Sequence, residues 1–200
     1  MFERIPPRER LDLLIAWIAI SIAFTLIFVR DRVEPLTFFI FLGVSLVTVG
    51  IGFILHEMAH KFTAMHYGYW AEFRKDNLML VVAVALAALV GVVFAAPGAT
   101  VIYGTGVTRE QNGRISAAGP LTNLILCIPF AVLTFLAGSG TSLIGIIGVV
   151  GLQVNGMIAA FNMLPVSVLD GRKVLAWNKG IFAVLIAAAF AVVIATFYLV

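Results

Sequence analysis

The chain has 200 residues, 62% of them apolar and 12% charged, with a mean hydropathy of +1.10. A soluble domain is nearer half apolar and a quarter charged, so the composition excludes a water-soluble globule and indicates one membrane domain over residues 1–200. The formal charge of +3 comes from Lys and Arg in the loops, which suits the cytosolic face of a bilayer better than nucleic acid. In chain order, basic residues in Met1–Arg10 precede an apolar run, Leu11–Val29, that lacks a small-residue cleavage site and reads as a first span. Further spans are expected at Leu36–Met65, Ile115–Ala137, Leu143–Leu164 and Ile181–Val200. Cys127 stands alone in an apolar run, which leaves no disulfide framework and no cysteine-based zinc site.

The second run contains His56-Glu57-Met58-Ala59-His60. Four residues on a helix return to the same face, so His56 and His60 can offer two imidazoles to one metal. Glu57 lies about 100° round from His56, near enough to act on water beside the metal without being a ligand. A pair of histidines on a helix is often only a polar face, but Val44 to Leu55 carries no charged residue. Ionisable groups inside a span are expensive and point to function.

A sixth apolar stretch, 78–96, decides the topology. If it enters and leaves on one side, every Lys and Arg except Arg30 and Arg32 lies on the cytosolic side, with the N-terminus. If it crosses, the bias disappears. The reading is therefore an all-α polytopic membrane protein with about five transmembrane helices and a cytosolic-side re-entrant segment at 78–96. Val81, Val82, Val84, Val90, Val92, Val93 and the Pro97-Gly98 turn suggest a β-hairpin there, although Ala83 to Leu89 has helical character. Irregular backbone at that depth needs protein or a water-filled cavity beside it.

The third span opens with Ala117, Ala118, Gly119 and Pro120, small residues that allow close helix approach. The fourth carries Asn155 and Asn162, seven apart on one face; helix–helix hydrogen bonding is the commoner use of such residues. A catalytic zinc takes three protein ligands. His66 has the H-E-x-x-H-x-x-G-x-x-H spacing, but Thr63 stands where that pattern needs glycine, so a continuing helix turns His66 away. Among the acids, Asp170 follows a polar-faced span and the helix stop at Pro165 on the same side as the histidines. Its alternative is a solvated acid capping a turn before Gly171.

Three stretches together, His56–His60, Ala118-Gly119-Pro120-Leu121-Thr122-Asn123 and Asn162–Gly171, resemble the motifs of the site-2 protease family of intramembrane zinc metalloproteases. The similarity covers roughly 36–172, the core of the domain. It implies one zinc per chain, held by His56, His60 and Asp170, with Glu57 as general base and Asn162 and Asn123 beside the substrate. It also implies a single-span membrane protein as substrate, in the cell membrane of a prokaryote. Ser167 stands where many members have proline, and Arg172 replaces the second glycine of D-G-G. Two rival functions are a divalent-metal transporter, which the absence of an internal repeat disfavours, and a non-proteolytic regulator, which would have no need of Glu57.

Overall fold

The computed structural model describes residues 4–30, 34–93, 97–138 and 142–198. Pro7 opens helix α1 (Pro7–Phe28), where its missing N–H costs nothing. Helices α2 (Pro35–Ser45) and α3 (Ile51–His66) run on through one π turn, Leu46–Gly50. The indole of Trp17 packs on Gly50, where any Cβ would collide with the ring, and its N–H donates to Leu46 O at 3.0 Å. That tertiary bond occupies a carbonyl inside the wide turn. Strand β1 (Trp70–Lys75) follows, then α4 (Asn77–Leu89) and strand β2 (Gly98–Tyr103). The long α5 (Arg109–Ala137) begins with a capping box of Thr108 and Gln111. Helices α6 (Leu143–Asn162), α7 (Asp170–Trp177) and α8 (Lys179–Thr196) complete the described chain.

Among the described residues, five helical stretches are long and apolar enough to cross a membrane: Pro7–Phe28, Pro35–His66, Arg109–Ala137, Leu143–Asn162 and Lys179–Thr196. These are the five expected spans, and the protein is an all-α polytopic membrane protein. Helices α5 and α6 meet closely because Gly148 lies against the Thr134 backbone and Gly151 against the Phe130 ring. A core of Leu13, Ile20, Val49, Phe53, Phe73 and Val154 joins α1, α3, β1 and α6.

The region between α3 and α5 differs from expectation in its detail. The β-hairpin expected within 78–96 does not form among the described residues, where 77–89 is helix α4; the strands that do pair, Trp70–Lys75 and Gly98–Tyr103, flank that helix and run antiparallel, with Phe73 opposite Thr100. The valines at 81, 82 and 84 are helical, part of α4. Asp76 caps that helix by accepting from Leu78 N and Met79 N, and an alanine-rich interior favours helix over strand. At thirteen residues α4 is about 20 Å long, short of a hydrocarbon thickness near 30 Å. Residues 94–96 of the expected re-entrant segment and 199–200 of the last expected span lie outside the described residues.

Candidate metal centre

Helix α3 turns His56 and His60 toward α5 and Glu57 toward β2, and all three are buried. The ring nitrogens away from the centre are both engaged: His56 Nδ1 with Asn123 Oδ1 at 2.6 Å, His60 Nδ1 with Ile115 O at 2.8 Å. Both partners are acceptors, so each Nδ1 carries the proton and each Nε2 presents a lone pair inward. The two Nε2 atoms lie 3.0 Å apart, and Asp170 Oδ2 is 3.4 Å from His56 Nε2 and 3.1 Å from His60 Nε2.

Asp170 arrives from the far side as the first residue of α7. Gly171 permits this, because a Cβ there would strike the main chain of Met163 at the end of α6. At the other end of α7, Trp177 packs on Gly113, and Arg114 lies over its ring at 5.6 Å.

Three inward lone-pair donors within 3.4 Å of one another suit a cation. Zinc bonds of about 2.0–2.1 Å in tetrahedral geometry set the donors about 3.3 Å apart, close to the separations found. Gly119 supplies the room, since a Cβ at that position would lie 2.6 Å from His56 Nε2 and nearer still to His60 Nε2. The donor set fits zinc in kind, spacing and tautomer.

Glu57 points to the hairpin side, where its Oε2 accepts from Thr100 N and from the Thr100 hydroxyl, each at 2.9 Å. A cavity of about 180 Å³ is lined by His56, Glu57, Asn162, Phe161 and Leu169, with Ile20 and Phe24 from α1. It shares Gly98, Phe161 and Leu169 with an open groove of about 820 Å³ between β2 and the loop 164–169.

Asn162 lines the cavity and donates one amide hydrogen to Ile158 O at 3.0 Å. Asn123 has a different place from the one the resemblance implied. It is fully buried behind His56, and its amide nitrogen donates to Gly52 O at 3.2 Å and to Asn155 Oδ1 at 2.9 Å. Its carboxamide is taken up by His56, Gly52 and Asn155. His66 is exposed at the end of α3, its ring 5.5 Å from that of Tyr67, away from the donor set.

The sequence reading missed Thr100, the Ile115 carbonyl and the steric part of Gly119. It also counted Lys61 among the cytosolic-side cations, whereas Lys61 is fully buried and paired with the equally buried Glu9. A signal for that pair was present, because an ammonium in an apolar helix requires an acid nearby.

The fold and the donor set define a helical membrane protein with a buried His–His–Asp set able to hold a metal. A protein of Methanocaldococcus jannaschii named putative zinc metalloprotease MJ0611 is 41% identical over 181 residues, covering 90% of each chain. A protein of Mycolicibacterium smegmatis named putative zinc metalloprotease Rip2 is 28% identical over 181 residues, which is 78% of this chain and 61% of that protein. No protein-family model and no solved structure matches the chain. The chain belongs to the zinc metalloprotease family of the Methanocaldococcus protein.

Proposed function

We propose that the protein is an intramembrane zinc endopeptidase of the site-2 protease kind, cleaving within or near a transmembrane helix of a single-span membrane protein. The observation that carries this reading is the buried His56–His60–Asp170 set, of which His56 opens with Glu57 onto a cavity walled by α1 and α6, both apolar enough to span a bilayer.

Zinc would be held by His56 Nε2, His60 Nε2 and an Asp170 carboxylate oxygen. Bound there, it supplies a Lewis acid that makes water acidic enough to attack at neutral pH and polarises the scissile carbonyl. Glu57 takes the proton from the attacking water and passes it to the leaving amine. Asn123 and the Ile115 carbonyl keep the two imidazoles in the tautomer that donates inward. Asn162 offers its carbonyl oxygen and second amide hydrogen to the substrate backbone.

A helical substrate hides its carbonyls in its own hydrogen bonds, so it unwinds before attack. The groove between β2 and the loop 164–169 has room for an extended segment. We place the N-terminus in the cytosol and the protein in the cell membrane of a prokaryote, on the positive-inside bias. The helical stretch Pro35–His66 then carries His56 about 30 Å from its outer end, near the cytosolic boundary.

The experiment is cleavage of a model single-span substrate in liposomes, with the cut mapped by mass spectrometry. Cuts in the cytosolic half of the substrate helix, near Gly, Pro or Asn, are expected. Cuts confined to the outer half would overturn the orientation, and no cut in any substrate tried would overturn the endopeptidase.

A further inference from the structure

The hairpin between β1 and β2 is gripped on both of its outer edges by carboxylates from different helices. Phe73 and Thr100 face each other across the ladder, and both main-chain N–H groups point out of it. Phe73 N donates to Glu9 Oε1 of α1 at 2.9 Å, and Thr100 N donates to Glu57 Oε2 of α3 at 2.9 Å. The other oxygen of Glu9 holds Lys61, one residue after His60, so the anchor of β1 is tied to the helix that carries the histidines. Lys61 in turn lies 5.5 Å from the centre of the Trp70 ring on β1. The Thr100 hydroxyl adds a second donor to Glu57, 2.9 Å from Oε2 and 3.0 Å from the Glu57 main-chain oxygen.

A glutamate side chain left to itself samples several staggered rotamers about each bond. Here the Thr100 N–H donates to Oε2 while its hydroxyl, with one hydrogen to give, lies within reach of both Oε2 and the Glu57 main-chain oxygen, which holds the carboxylate and leaves Oε1 for proton transfer. We propose that Thr100 is a positioning residue for Glu57, itself held in place through Phe73 by the buried Glu9–Lys61 pair. This inference rests on the proteolytic reading above. It assigns a role to a hairpin residue that neither binds the metal nor exchanges the proton. It also gives the buried ion pair a purpose, holding the strand at the right height above the base.

Thr100→Val retains the β-branched shape and the N–H but removes the hydroxyl, and Thr100→Ser restores it. The assay is cleavage of a single-span substrate in liposomes, with zinc per chain and unfolding midpoint measured on the same preparations. The expected result is a fall in kcat of roughly ten- to a hundred-fold for Thr100→Val, the scale of a reacting group misplaced by about 1 Å. KM, zinc content and the midpoint stay as in the wild type, and Thr100→Ser recovers most of the rate. Three outcomes overturn the inference: an unchanged kcat in Thr100→Val, a loss that tracks zinc or the midpoint, or a serine variant no better than valine. Absence of cleavage by the zinc-loaded wild type is a separate result: it removes the proteolytic reading and this inference with it.

Discussion

Gly119→Ala isolates the metal centre from the stability of the fold. In α5 the change on its own favours the helix, because alanine is about 1 kcal/mol better than glycine in a helix interior. The added methyl, however, falls 2.6 Å from His56 Nε2 and closer to His60 Nε2. Restoring an ordinary contact of about 3.5 Å requires an imidazole to retreat by about 1 Å. Metal–ligand distances tolerate only about 0.2 Å. The rings also cannot pivot freely, since Asn123 and the Ile115 carbonyl hold their far nitrogens. Zinc affinity therefore falls by more than the roughly 10–100-fold typical of changes behind the ligands. The assay is zinc per chain after dialysis against graded chelator, read beside the unfolding midpoint of the chelated protein. Wild-type zinc retention in the alanine variant would refute the placement of Gly119 against the donor set.

Asn123→Ala removes the acceptor behind His56 and strands Asn155 and Gly52 O in a buried site. It should weaken zinc by about 10–100-fold and destabilise the fold by about 1–3 kcal/mol, measured by chelator competition and denaturation in detergent. Lys61→Met leaves Glu9 buried without its cation and should cost about 3–5 kcal/mol, much of it recovered in the Lys61→Met, Glu9→Gln double variant. Equal losses in single and double variants would show that the pair is not the source. Cysteines at Asn77 and Thr105, both exposed and flanking the stretch 78–96, in a Cys127→Ser background, should both label from the cytosolic side. Labelling of position 105 from outside would overturn the topology.

What the sequence disclosed and what it concealed follow from the range of the interactions involved. His56 and His60 were legible because their relation is local, one helical turn, and the apolar run around them made a polar face costly. The five spans were legible for the same reason, each being a continuous apolar stretch. Asp170 is distant in sequence, and only the distribution of charge brought it to the right side. The strands were obscured because β1 carries Glu72, Arg74 and Lys75 and reads as a loop, while three of the valines that suggest strand, Val81, Val82 and Val84, are helical under the Asp76 cap. Asn123 was assigned to substrate because its motif lies near the site. Only the fold shows that its carboxamide is behind His56, with Asn155 behind it in turn. Thr100 meets Glu57 through a main-chain N–H as well as a hydroxyl, and main-chain donors leave no mark in a residue pattern.

The central claim is that Glu57 acts on a metal held by His56, His60 and Asp170, and the most direct measurement varies the two parts separately. Wild type, Glu57→Gln and Asp170→Ala are purified, their zinc content is determined, and each is incubated with a single-span substrate in liposomes. The account predicts about one zinc per chain and cleavage for the wild type, the same zinc without cleavage for Glu57→Gln, and loss of both for Asp170→Ala. Cleavage by Glu57→Gln at the wild-type rate, or full zinc and activity in Asp170→Ala, would contradict it.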